Sequence, residues 1–147
     1  MKKYLILFYL LFVGCDLEVT ESTVYGCCDT EAWNYSSDVT AHADSLCVYN
    51  FNIINPDNQA LWPVGSVQTI NWTGGDSNYE INLYLIDVNT NVTSGIIQSG
   101  LENLGSYQWN VSCFDCLDGP KTIYIEQDID LDGTIDLFIQ SEEFTIN

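Results

Sequence analysis

The 147-residue sequence contains no arginine, and beyond Lys2 and Lys3 it has a single lysine, Lys121. All 21 acidic residues lie after Cys15, so from Asp16 onward one lysine stands against 21 acids, a formal charge of −20. Such a surface repels phosphate backbones and anionic head groups, which excludes nucleic acid as a partner and makes cations the natural ligands. Histidine is nearly missing too: His42 is the one imidazole, and no nucleophile motif accompanies it. That leaves acyl transfer by a nucleophile and base without a recognisable constellation. No apolar run is long enough to cross a bilayer as a helix, which takes about 20 residues, and no amphipathic helical period extends beyond two turns. What remains is 46% hydrophobic and only 16% charged, a composition that can bury a core.

The longest apolar run, Tyr4 to Val13, comes after Lys2 and Lys3 and stops at Gly14-Cys15, the layout of a secretory signal peptide. Its last four residues, FVGC, resemble the lipobox of bacterial lipoproteins, with Phe12 where that family usually has Leu. The resemblance implies a signal peptide over 1–14, acylation of Cys15, and a membrane partner reached through that lipid anchor. More than one acyl chain would hold the protein stably, each buried CH₂ contributing about 0.8 kcal/mol. An acidic tether over 15–24 then places the rest of the chain at the bacterial cell envelope, on the outer membrane or cell surface.

Cys27, Cys28, Cys47, Cys113 and Cys116 lie beyond Cys15. In an exported protein they are first of all disulfide candidates, and five is odd. The C-x-x-C of Cys113 and Cys116 comes after a strand pattern and precedes the turn LDGP. A redox dithiol sits at a helix N-terminus instead, so the pair reads as a local disulfide. A thiolate metal site would need further soft ligands, and only Cys28 and His42 remain. The segment 25–50 shows neither helical nor strand period. Its Gly26, Cys27, Asp29, Ala32, Asn34, Tyr35, Cys47 and Tyr49 resemble a short cysteine-bounded repeat of bacterial secreted and surface proteins. That resemblance implies a Cys27 to Cys47 bridge, worth about 3 kcal/mol for a loop of roughly 20 residues, and leaves Cys28 as the odd thiol.

From Phe51 to Asn147 short apolar alternations are separated by Gly, Pro and Asp turns, the texture of an all-β sandwich. Strands are expected near Asn52 to Ile54, Val67 to Trp72, Glu80 to Val88, Ile96 to Ser99, Ser106 to Val111, Thr122 to Gln127 and Glu143 to Ile146. Trp72, Tyr107, Trp109 and Phe144 fall on alternating positions and point into the core beside Ile70, Leu83, Leu85, Val111 and Ile125. Trp62 packs under the first loop, or else stacks on a sugar ring at the rim. Trp72, the stretch Gly105 to Trp109 and the closing Phe144 to Ile146 resemble the Ser/Thr-rich GPI-anchored membrane family, the extracellular immunoglobulin-like module of yeast cell-wall glucan-assembly proteins. The likeness covers nearly all of 51–147.

Residues 128–136 read DIDLDGTID. As a calcium loop, Asp128, Asp130 and Asp132 take positions 1, 3 and 5, Gly133 makes the bend, Thr134 offers its carbonyl and Asp136 takes position 9. Position 12 is Ile139, so Glu142 or Glu143 would have to substitute. As a hairpin, a three-residue loop from Asp132 to Thr134 pairs Leu131 with Ile135 and Ile129 with Leu137. That register sets Asp130 across from Asp136, a repulsion that a bound Ca²⁺ would reverse. Both readings stay open. The function expected is that of a non-catalytic cell-envelope lipoprotein, a display, binding or adhesion module with a glycan or protein partner. The alternative is a carbohydrate-binding accessory domain with an exposed aromatic row around Trp62.

Overall fold

The computed structural model describes residues 23–112 and 119–147. The segment 1–14 expected to be a signal peptide, Cys15, most of the expected tether and the Cys113 to Cys116 pair lie outside them. The chain divides into two compact units, one ending at Cys47 and one spanning Val48–Asn147.

In the first unit two short strands, β1 (Tyr25–Gly26) and β2 (Ala41–His42), pair in parallel, and a 3-10 turn spans Asp44–Leu46. Cys27 is joined to Cys47 with Cα atoms 4.9 Å apart. The bridge and Ala32 supply most of what this unit buries. Gly26 is a steric requirement: a Cβ there would meet Val39 Cγ2 at 2.5 Å. Cys28 is disulfide-bonded as well, which corrects the expectation that it is the odd thiol. Successive side chains of an extended segment point to opposite sides, so the bond of Cys27 to Cys47 leaves its neighbour free to bond elsewhere.

The second unit is a β-sandwich. One sheet has the order β4-β11-β9-β6-β7, with β10 also paired to β9, and the other has the order β3-β5-β8. Its strands are β3 (Tyr49–Asn55), β4 (Leu61–Trp62), β5 (Val67–Gly75), β6 (Glu80–Asp87), β7 (Val92–Glu102), β8 (Ser106–Asn110), β9 (Pro120–Gln127), β10 (Leu137–Gln140) and β11 (Phe144–Ile146). All seven expected strands are present. β7 runs longer than expected because an edge strand, solvated along its length, need not alternate apolar and polar side chains. Gly74 has a positive φ of 87°, and a Cβ there would lie 2.1 Å from the Asn50 carbonyl, so β3 and β5 close up only on glycine.

The core forms where the inward rows of both sheets meet: Phe51, Ile70, Trp72, Trp109 and Val111 from one, Ile81, Leu83, Leu85, Ile123, Ile125, Leu137, Phe144 and Ile146 from the other. Tyr107 is half-buried against it. Trp62 is 4% exposed and stacks on Phe144 and Trp109, ring centroids 4.8 and 6.2 Å away. Trp62 therefore belongs to no exposed aromatic row among the described residues; this indole fills the sandwich.

The hairpin register expected for the aspartate stretch is also corrected. Leu137 pairs with Gln127 and Ile139 with Ile125, two residues away from the expected alignment. Shifting by two keeps every side chain on its face, so the apolar rows are as the parity implied. The whole nonapeptide 128–136 is loop rather than a tight turn.

Candidate functional site

The inward row of β9 reads Lys121, Ile123, Ile125, Gln127, apolar at its centre and polar at both buried ends. Gln127 ties the end of β9 to the β5–β6 connection. Its amide nitrogen donates to the Asp76 and Tyr79 carbonyls at 2.7 and 2.8 Å, and its amide oxygen accepts the Asp76 N–H at 2.8 Å. Its own backbone carbonyl takes the Asp136 N–H at 3.0 Å, closing the neck of the aspartate loop.

Within the loop, carboxylates replace the missing ladder as acceptors. Asp128 Oδ2 accepts the Gly133 N–H at 2.9 Å, Asp136 Oδ2 that of Ile129 at 2.7 Å, Asp130 Oδ1 that of Asp132 at 3.2 Å, and Asp132 Oδ1 that of Thr134 at 2.7 Å. Leu131 and Gly133, both at positive φ, let the chain coil around them. The result brings one carboxylate oxygen each of Asp128, Asp130 and Asp136 within 4.8 Å of one another. Asp132 is not in that set, its Oδ1 being turned to Thr134. The two acids considered for position 12, Glu142 and Glu143, are exposed in the β10–β11 connection and not in the set either.

The electrostatics of this cluster are unfavourable by themselves. The Asp132 N–H draws the Asp130 carboxyl downward, but burial and the carboxylates of Asp132, Asp136 and Asp128 outweigh it, leaving the group above its ordinary value. Asp128 Oδ1 is buried without a hydrogen-bond partner. A carboxylate oxygen in that position normally finds a donor or a cation. Oxygen-only donors, anionic and at the mutual spacing of a shared ion, suit a hard cation such as Ca²⁺.

On the outward face of the same sheet the register aligns Asn82 and Phe138 on either side of Glu126, and Tyr84 and Gln140 on either side of Tyr124. Tyr84 and Tyr124 have ring centroids 6.2 Å apart, and Tyr124 and Phe138 5.9 Å. Glu126 Oε1 accepts both the Tyr84 hydroxyl at 2.9 Å and the Asn82 amide at 3.2 Å. Burial, with Glu126 beside them, pushes both tyrosines above the ordinary value. A shallow groove of about 340 Å³ opens here. Sequence reasoning missed this groove, whose one signal along the chain is the shared outward parity of Tyr84, Tyr124 and Phe138.

In the first unit His42 Nδ1 accepts the Cys28 N–H at 3.1 Å, so Nε2 carries the proton that it shares with Asp44 at 2.6 Å. Cys27, His42 and Cys47 are close enough to share an ion, but both sulfurs are spent in the disulfide and neither is a thiolate. Cys15, Cys113 and Cys116 lie outside the described residues.

A solved structure of the fibronectin(III)-like modules of Clostridium thermocellum CbhA is similar to the chain, with a TM-score of 0.46 and 13% identity, covering 66% of this chain and 95% of that one. The curated proteins contain no match to the sequence. A scan against protein families matches residues 55–146 to the Kre9/KNH-like N-terminal Ig-like domain. Ig-like domains of this kind are typical of non-enzymatic modules in extracellular or surface-associated proteins. The match takes in β4 to β11 whole and the last residue of β3, and the chain belongs to the Kre9/KNH-like Ig-like family.

Proposed function

We propose that this chain is a non-catalytic binding or adhesion module of the bacterial cell envelope, tethered by lipid on Cys15 and stabilised by one Ca²⁺ in the loop 128–136. The observation that carries the calcium reading is the buried, unpartnered Oδ1 of Asp128 beside Asp130 and Asp136. Asp128, Asp130 and Asp136 are the first ligands, and the Thr134 carbonyl, Asp132 Oδ2 and water are candidates for the remainder. A cation there converts mutual repulsion of the carboxylates into attraction and fixes the loop beside the outward sheet face.

The non-catalytic reading is supported by the Ig-like family and by the fixed tautomer of the one imidazole. The anchor is supported by FVGC, and the partner is a glycan or a protein. Two measurements test the reading. Palmitate labelling sensitive to globomycin is expected for the full chain and lost in Cys15→Ala; an unlabelled wild type removes the anchor. Calcium is expected to raise the melting temperature of residues 16–147, and identical melting curves in calcium and EDTA remove the ion.

A further inference from the structure

We infer that the groove between Tyr84 and Tyr124 is a recognition site for a cationic side chain, guanidinium or ammonium, presented by a partner protein. The inference rests on the reading of the domain as a binding module and specifies its ligand chemistry.

Three observations converge on that choice. The first is the floor of the groove. Glu126 lies across the strands from Asn82 on one side and Phe138 on the other, and the side-chain hydrogen bonds from Asn82 and Tyr84 both fall on Oε1. The carboxylate is therefore held in one orientation, with Oε2 left for a ligand. A charged acceptor fixed by its neighbours favours a charged donor, because charge-assisted bonds are roughly twice as strong as neutral ones.

The second is the walls. Tyr84 and Tyr124 are tilted by 47° at 6.2 Å, and Phe138, largely exposed, extends the row. Ring faces in that arrangement attract a cation through their quadrupoles, most strongly where the site is partly desolvated. Gln140 and Thr93 at the margin supply amide and hydroxyl groups. The Gln140 amide nitrogen is already given to Thr122 Oγ1 at 2.8 Å, so its oxygen is the atom left to accept a further N–H.

The third is what surrounds the groove. Lys121 is the only Lys or Arg among the described residues, and it is buried against Asp87. No arginine or lysine of the described residues can reach Glu126 from its own surface, so the ligand has to bring the positive charge. The field of the acidic surface steers such a ligand inward and rejects anionic ones. A neutral saccharide would use the ring faces but would draw nothing from the charge.

The experiment uses the full chain with its tyrosine rings isotope-labelled, titrated with acetyl-Gly-Arg-Gly-amide and with the same peptide carrying citrulline, which keeps the shape and removes the charge. The arginine peptide is expected to shift the Tyr84 and Tyr124 ring signals, and raising salt from 50 to about 300 mM to weaken it. Glu126→Gln is expected to weaken binding by roughly fivefold or more. Glu143→Gln, the same charge change at an exposed site away from the groove, is expected to leave it within twofold. Tyr124→Phe, which keeps the ring, retains binding, and a melting curve for each variant separates loss of the site from loss of the fold. Equal binding of the citrulline peptide overturns the proposal, as does equal weakening by Glu143→Gln, which would mean general charge attraction. Ring shifts with cellotriose but not with the arginine peptide also overturn it and make the groove a glycan platform, leaving the binding-module reading intact. Silence of the groove toward both overturns the site while the anchor and calcium measurements judge the module by themselves.

Discussion

Lys121 and Asp87 stand directly opposite each other in the β6–β9 ladder, and the Lys121 ammonium, 1% exposed, lies 2.5 Å from the Asp87 carboxylate. Burying an ammonium is costly unless it is paired, and removing one partner is worse than removing both. Asp87→Asn is thus expected to lower the melting temperature clearly at pH 7, whereas the joint change Asp87→Leu with Lys121→Met is expected to recover most of the loss. Thermal melts of the two variants check this, and equal losses in both contradict it.

The same pair sets an acid limit. The hydrogen bond from Lys121, helped by the Thr90 N–H, holds Asp87 at about 2, below its ordinary 3.8. A depressed carboxyl contributes stability that is fully present above 3.8 and is lost as pH falls through about 2. Melting temperature followed from pH 5 to pH 2 should therefore drop more steeply in the wild type than in Asp87→Asn.

Gln127 satisfies three backbone groups of the β5–β6 connection from a buried position. Gln127→Leu matches it in size and takes this partner from all three, leaving the Asp76 carbonyl only the longer bonds from the Asn103 amide and the Tyr79 N–H, both at 3.4 Å. A loss of about 3 kcal/mol is expected from urea unfolding, the usual scale for orphaned buried polar groups. Because the Gln127 carbonyl also closes the aspartate loop, the variant is expected to bind calcium more weakly as well, measured by calorimetric titration.

Asp130→Asn should act with opposite sign in the two states of the loop. Without calcium it removes a carboxylate crowded by Asp128, Asp132 and Asp136, and the melting temperature rises. With calcium it removes a ligand, and the increment on adding the ion shrinks. Melting curves in EDTA and in 5 mM calcium distinguish this crossing from a merely structural role, in which both shifts share a sign.

Breaking the Cys27–Cys47 bridge by Cys27→Ala with Cys47→Ala takes the main closure out of a unit that buries little else, about 3 kcal/mol on loop-entropy grounds. Limited digestion by a glutamate-directed protease is expected to cut at Glu31 in the variant while the sandwich over 48–147 resists.

The strands and the core were legible because alternation survives every local detail: Ile123, Ile125, Leu137 and Ile139 could be placed on one side before their register was known. The register itself was not. Asp132-Gly133 signals a tight turn, yet the N–H of Gly133 turns back to Asp128 five residues earlier, a bond that only the coiled loop can make. Lys121 and Gln127 were hidden differently. Both share the inward parity of Ile123 and Ile125 on β9, but neither was read as a core residue, and parity does not say what a buried amide or ammonium will meet. Asp87 and Asp76 come from strand and loop partners 34 and 51 residues away. The groove escaped for the same reason, since Tyr84 and Glu126 meet only across paired strands.

The position of the single late lysine also shapes how the protein meets proteases. From Asp16 to the end, trypsin-like enzymes have one bond to attack, Lys121–Thr122, and in the folded sandwich its side chain is out of reach. Cleavage at that bond then proceeds only from the opened chain, and its rate reads out how often the sandwich opens. A module so composed outlasts tryptic surroundings for as long as its fold holds, and amine-directed labels likewise find no lysine to modify on the folded surface of its described residues.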